Sequence, residues 1–276
     1  MRYKMCDIKI KNSQENAKLV LYMLDPSTEI VIKKRPVIVI CPGGGYKYLS
    51  DREGEIIALQ FVAMGYHAAV LYYSVAPARY PTALLELGKS VVLLRENAAQ
   101  WEIDPEKIVI AGFSAGGHLA ASYGVFWSEK WMEESTSAEI RMLKPDAMIL
   151  GYPVITSGQF IEENSFRNLL GEDYEEKKDS VSVENYVNPN TPRTFIWHTC
   201  EDPVVPVQNS LLLVSAMVKE KIPVEFHMFE KGGHGLALAN RLTLTSLKTE
   251  AQPSAAEWIH LVHIWLEQWI KDEEQG

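Results

Sequence analysis

The chain has 276 residues, 47% of them hydrophobic and 23% charged, enough apolar material for a sizeable buried core and unlike a disordered or low-complexity polypeptide. Its 27 basic and 36 acidic residues leave a net charge of -9, so neither nucleic acid nor an anionic membrane surface is an expected partner. No run of about 18 apolar residues occurs, the opening MRYKMCDIKIKN lacks the apolar stretch of a signal peptide, and Cys6, Cys41 and Cys200 are odd in number and scattered. These features predict a cytoplasmic protein with free thiols, no membrane span, no metal and no cofactor.

In chain order, residues 8–11 and 18–24 read as a hairpin at a sheet edge, closed by Asp25, Pro26 and Ser27. Residues 37–41 are continuously apolar, as in a strand buried on both faces, and open into Pro42, Gly43, Gly44, Gly45 and Tyr46. Three successive glycines leave backbone N–H groups unobstructed for a ligand. A helix over 53–64 carries Ile56, Ile57, Phe61 and Met64 on one face and ends at Gly65, and a strand over 67–72 follows. Thr82 is expected to cap a helix reaching Asn97, with Leu84, Leu87, Val91 and Leu94 as its core stripe.

Residues 107–123, KIVIAGFSAGGHLAASY, organise the rest. A β-branched run is followed by Gly112, Phe113, Ser114, Ala115 and Gly116, then by small helix-compatible residues. That is a strand, a tight turn and a helix with one serine at the tip. A serine on so sharp a turn needs small neighbours two positions either side, which Gly112 and Gly116 supply. The turn lifts the hydroxyl above the sheet and aims the Ala115 N–H at the same point, where the helix dipole favours negative charge. The glycine N–H groups after residue 41 are placed to complete an oxyanion hole with Ala115.

Beyond the turn, residues 127–144 with Trp127 and Trp131 form one candidate pocket wall, and residues 147–150 another strand. Residues 155–190, acidic and locally helical, are too long for a simple loop and read as a cap insertion over the sheet's C-terminal edge. A strand over 194–198, a helix over 207–221, a strand over 224–229 and a helix around Trp258, Leu261, Ile264, Trp265 and Trp269 complete the pattern. Alternating strands and helices predict an α/β, doubly wound and mostly parallel sheet, and the absence of repeats predicts one domain over 1–276.

A serine hydroxyl needs a base to take its proton, and the base needs an acid to hold its tautomer. His234, flanked by glycines after the last strand, is the expected base. His118 should hydrogen-bond or pack beneath the site, and His198 and His227 fall inside strands. Of the two acids after residue 198, Asp202 in DPVVP is preferred to Glu201.

GFSAGGHLA, PGGGY, LYYSVAP, FIWHTCEDPVVPVQNS and FEKGGHGL together resemble the bacterial acetyl esterases of the α/β-hydrolase superfamily, which act on acetylated sugars. The resemblance implies a metal-independent serine esterase with Ser114, Asp202 and His234 as its triad and the N–H groups of Gly44, Gly45 and Ala115 as its oxyanion hole. Pro42 stands where relatives with an HGGG loop have histidine, so the loop must be anchored differently. A peptidase or amidase with the same triad, or a non-catalytic binding protein of this fold, are the alternatives. The expected partner is a small-molecule ester such as an acetylated sugar, and the sequence is compatible with a homo-oligomer. Tyr46, Tyr48, Tyr73 and Trp127 are expected around the pocket, where their rings would suit a sugar. The acidic insertion has no sustained apolar face, so acetyl esters should be preferred to long-chain ones.

Overall fold

A computed structural model describes residues 1–10, 16–245 and 250–275. Strands β1 (Arg2–Lys9) and β2 (Asn16–Met23) pair antiparallel. They are followed by β3 (Arg35–Cys41), β4 (His67–Tyr72), β5 (Ile103–Phe113), β6 (Ala147–Gly151), β7 (Arg193–Thr199) and β8 (Val224–Phe229), all mutually parallel. The order across the sheet is β1-β2-β4-β3-β5-β6-β7-β8, with β2 joined antiparallel to β4. The expected hairpin lies at the sheet edge, but its first strand begins at Arg2. Tyr3, Lys4 and Met5 are all exposed there, so no alternation marks those positions. Lys11 lies outside the described residues.

The sheet is buried on both faces, and β3 displays why. Val37, Val39 and Cys41 enter one core while Ile38 and Ile40 enter the other, the period-two alternation of a strand with two apolar faces. Six of the helices matter here: α1 (Glu55–Ala63), α2 (Thr82–Glu96), α3 (Ala115–Phe126), α4 (Glu163–Leu170), α5 (Gln208–Lys219) and α6 (Trp258–Gln275). Leu84, Leu87, Val91 and Leu94 of α2, Leu119 and Tyr123 of α3, and Leu213 and Met217 of α5 fill the first core. Ile57 and Phe61 of α1 and Trp258, Val262, Leu266 and Trp269 of α6 fill the second. The fold is therefore a doubly wound α/β sheet. Thr82 does not cap α2: Pro81 precedes the helix and its carbonyl already accepts the Leu85 N–H at 3.0 Å, which puts Thr82 inside the first turn.

Because six strands are parallel, their C-terminal ends deliver Pro42, Ser114, Tyr152, Asp202 and the loop of His234 to one edge. The second core props that edge. Trp258 stacks on Trp197, with centroids 5.3 Å apart and planes at 13°, and its indole N–H donates to the Ala237 carbonyl at 2.9 Å. Among the described residues no helix is long and apolar enough to cross a membrane. Cys6, Cys41 and Cys200 are free thiols.

Candidate active site

Ser114 stands between β5 and α3 with φ 55° and ψ -122°, a strained conformation for a residue with a side chain. The flanking glycines permit it by close approach. A Cβ on Gly112 would lie 2.1 Å from the Gly116 carbonyl oxygen, and one on Gly116 would lie 2.1 Å from the Cys41 carbonyl oxygen. The turn is held by Ser114 N–H to the Gly151 carbonyl at 3.0 Å and by Val154 and His118 N–H groups to the Ser114 carbonyl, each at 3.1 Å.

Ser114 Oγ–H donates to His234 Nε2 at 2.7 Å, and His234 Nδ1–H donates to Asp202 Oδ2 at 2.7 Å. The carboxylate settles the tautomer, because Asp202 can only accept. Asp202 is buried while Glu201 is exposed. Oδ1 of Asp202 takes the N–H groups of Val204 and Val205, both at 2.9 Å, which is what the DPVV turn provides. Burial alone would raise the Asp202 pKa. The hydrogen bonds from His198 and His234, with the Val205 N–H, outweigh it and hold the carboxyl well below its ordinary range.

The sequence places His198 inside a strand and does not reveal its link to the acid. Its Nε2 lies 3.0 Å from the Val205 carbonyl and 3.3 Å from Asp202 Oδ2, while Nδ1 lies 2.8 Å from Ser210 Oγ. Two acceptors at Nε2 assign the proton there, so Ser210 donates to Nδ1. The H-x-x-x-D spacing is the only signal in the sequence, and a strand histidine facing the core explains it equally well.

The 42–46 loop is anchored without histidine. Tyr73 O–H donates to the Pro42 carbonyl at 2.6 Å, and the Gly43 N–H donates to Glu53 Oε2 at 2.8 Å. The Gly43 carbonyl takes the Ser50 N–H at 2.9 Å, and the Gly44 carbonyl takes those of Lys47 and Tyr48 at 3.1 and 3.2 Å. Among the described residues, no acceptor is bound by the N–H of Gly44 or Gly45, and both residues line the cleft beside Ser114 and His234. Ala115 directly follows Ser114 as the first residue of α3, where an N–H has no acceptor inside the helix. Among the described residues, all three N–H groups are thus without a protein acceptor.

The cleft has a volume of about 290 Å³. One wall is the start of α4 and the residue before it: Glu162, Asn164, Ser165 and Asn168, with Asn168 Nδ2 donating to the Gly45 carbonyl at 2.8 Å. Glu162 caps α4 by accepting the Asn164 and Ser165 N–H groups. Of the four expected aromatic residues only Tyr48 lines the cleft. Tyr46 and Tyr73 are buried beneath it, and Trp127 is buried with its indole N–H on the Asn190 carbonyl. Trp131 packs on Phe126, so residues 127–144 do not form a wall of the cleft. Large amphipathic rings near strand ends are often drawn into the core by the area they bury.

His118 lies under the floor, with Nε2–H on the Val181 carbonyl at 2.8 Å and Nδ1 accepting from Tyr46 O–H at 2.9 Å. The sequence marks Glu53 only as the start of the helix expected over 53–64, whereas the helix begins at Glu55 and Glu53 ends the turn before it. Glu53 is buried, and Tyr152 donates to it at 2.6 Å. Among the described residues no cluster of three or more His, Cys, Asp or Glu side chains is arranged to hold a metal ion.

A family model described as BD-FAE matches residues 26–217. An endo-1,4-beta-xylanase B of Butyrivibrio fibrisolvens is 39% identical over 212 residues; the match takes in 75% of this chain and 33% of that protein, so the chain spans about a third of its length. A carboxylesterase from Lactobacillus plantarum WCFS1 superposes with a TM-score of 0.86 at 30% identity over 98% of both chains. An acetyl ester-xyloside bifunctional hydrolase from Caldicellulosiruptor lactoaceticus superposes with a TM-score of 0.80 at 34% identity over 96% of both.

Proposed function

The chain belongs to the BD-FAE family of the α/β-hydrolase superfamily, and from that premise we propose that it is a serine carboxylic ester hydrolase removing short acyl groups, acetyl above all, from sugar-like alcohols. The observation that carries the reading is the unbroken hydrogen-bonded chain Ser114–His234–Asp202 at the floor of a cleft. In the first step Ser114 Oγ attacks the ester carbonyl carbon and His234 Nε2 takes its proton. Asp202 stabilises the imidazolium that forms. The carbonyl oxygen becomes an oxyanion facing the N–H groups of Gly44, Gly45 and Ala115. Collapse of the tetrahedral adduct breaks the bond to the alcohol, which leaves with the proton from His234. Water then attacks the acyl-serine, gives its proton to His234, and releases the acid and Ser114.

The cleft walls support this choice of substrate class. Among the described residues that line the cleft Val204 is the one aliphatic side chain, against Lys47, Glu162, Asn164 and Asn168. Such a surface offers hydrogen bonds to a hydroxylated leaving group and little to a long acyl chain. The description of the Caldicellulosiruptor protein as an acetyl ester-xyloside hydrolase points the same way. We read residues 155–190 as a cap inserted into a single catalytic domain, and the three free thiols fit a reducing compartment such as the cytoplasm. The test is kcat/KM across p-nitrophenyl acetate, butyrate, octanoate and palmitate, followed by acetate release from peracetylated xylose. Acetate should be cleaved fastest, and a maximum at octanoate or beyond, or no release from the sugar, would overturn the acetyl reading.

A further inference from the structure

Glu53 and Tyr152 sit against this machinery, yet the reaction as drawn uses neither. Both are fully buried, and a buried carboxylate is costly unless hydrogen bonds take up its oxygens. Oε2 of Glu53 accepts the Gly43 N–H at 2.8 Å, and Oε1 accepts the Tyr152 O–H at 2.6 Å. The Tyr152 oxygen in turn accepts the Ala237 N–H at 2.9 Å, and its ring meets the His234 ring edge-on at 5.2 Å. Tyr152 also holds φ at 36°, a strain that persists only where the surroundings over-determine it. Beside them, Arg52 Nη1 ties the same loop from outside, donating to the Gly235 and Thr243 carbonyls at 2.7 and 3.1 Å.

One carboxyl group thus joins three segments that come together only in the folded chain: the glycine loop after β3, the end of β6, and the loop bearing His234. We propose that Glu53 and Tyr152 are positioning residues that lock the oxyanion-binding loop and the base loop into one unit. The Gly43 bond keeps that N–H out of the cleft and orients the next two peptides toward the oxyanion. The Tyr152 bond to Ala237, with the ring contact, sets the angle of His234. Neither residue touches the reacting atoms, so both act through Gly43 and His234. The inference rests on the esterase reading of Ser114.

The test is the rate at which a fluorophosphonate labels Ser114, followed by intact-mass spectrometry and peptide mapping. That step forms the Oγ–P bond and expels fluoride, so it needs the activated hydroxyl and the oxyanion donors but no site for an alcohol leaving group. The parent enzyme should label at Ser114; failure there would remove the esterase reading itself. Tyr152→Phe and Glu53→Gln should each slow both labelling and kcat by about 10- to 100-fold, the cost of misplacing reacting groups by about 1 Å. KM for p-nitrophenyl acetate should stay within about threefold, because ground-state binding is not the lost interaction. The double variant should be no slower than the slower single, since both remove one shared connection. Tyr66→Phe is the control: it loses contacts of the same kind, to Glu267 at 3.1 Å and to His263 Nδ1 at 2.9 Å, beyond the opposite end of the sheet. It should lower the melting temperature and leave the labelling rate unchanged. If Glu53→Gln does not fold, Tyr152→Phe decides alone, as it removes a single oxygen. Parent-like labelling by folded Tyr152→Phe, or fully additive losses in the double variant, would overturn the proposal.

Discussion

The floor and the outer wall of the cleft are built by different physics. On the floor, Glu53, Ser114, Tyr152 and Asp202 are buried and bonded at 2.6 to 2.9 Å, mostly to backbone N–H groups or to one another. The segment that carries the wall, residues 163–178, instead holds ion pairs at its outer surface, none of whose residues lines the cleft: Arg167 with Glu163 and Glu175, Lys177 with Asp173, and Lys178 with Glu175. Water screens such surface pairs and side-chain entropy opposes them, whereas a buried polar group stripped of its partner carries its full desolvation cost. The floor should therefore tolerate almost no substitution and the wall almost any, except at two joints between them. His118 bonds Tyr46 on one side and Val181 on the other, with Phe166 of α4 edge-on at 5.1 Å. Asn168 ties α4 to the Gly45 carbonyl.

The largest expected effect lies on the floor. If Ser114, His234 and Asp202 act as the proposed triad, Ser114→Ala should lose turnover of p-nitrophenyl acetate by on the order of 10⁴- to 10⁶-fold, and adding His234→Ala should cost little more, because members of such a triad act as one unit. A Ser114→Ala enzyme with near-normal kcat would end the comparison, since the floor would then not hold the chemistry. Next, Asp202→Asn should cost on the order of 10³ to 10⁴ in kcat through the wrong imidazole tautomer, while the neighbouring Glu201→Gln stays near the parent. A larger loss from Glu201→Gln would exchange their roles.

The joints should show intermediate effects. Burial pushes His118 down to about 4, with the Val181 carbonyl working in the opposite direction. Between that value and the ordinary 6.5 or so, the unfolded chain binds a proton that the folded chain does not, so stability is lost as pH falls from about 6.5 toward 4. The loss from this one group is about 3 kcal/mol. His67, pushed down to about 4 by burial and by Arg35 and Arg2, adds to the same window. Urea midpoints at pH 7 and pH 4.5 should differ accordingly, and the difference should shrink in His118→Gln; an unchanged difference would mean that His118 is not the proton-linked joint. Asn168→Ala removes one hydrogen bond, worth about 1 kcal/mol. It should lower kcat/KM by roughly three- to tenfold, and no change would place the joint elsewhere. At the small end, Arg167→Gln should leave both kcat/KM and the urea midpoint at parent values; a clear fall in either would show that the outer ion pairs carry weight after all.

The same contrast separates what was legible in the sequence from what was not. Strand alternation at 37–41, the apolar stripe of α2, and the strand–turn–helix around Ser114 are local patterns, set by the periods of strand and helix and by the space that Gly112 and Gly116 leave. Such patterns determined the doubly wound sheet and singled out Ser114, Asp202 and His234 as candidates. Tertiary structure alone decided the rest. Glu53 meets Tyr152 across 99 residues and Tyr152 meets Ala237 across 85, and no spacing rule links such positions. Tyr46, Tyr73 and Trp127, expected around the pocket from their positions in the sequence, are instead buried. An amphipathic ring at a strand or helix end can face a ligand or the core, and packing drew Tyr46 and Tyr73 in beneath the cleft and Trp127 in against Asn190, outside the cleft's lining.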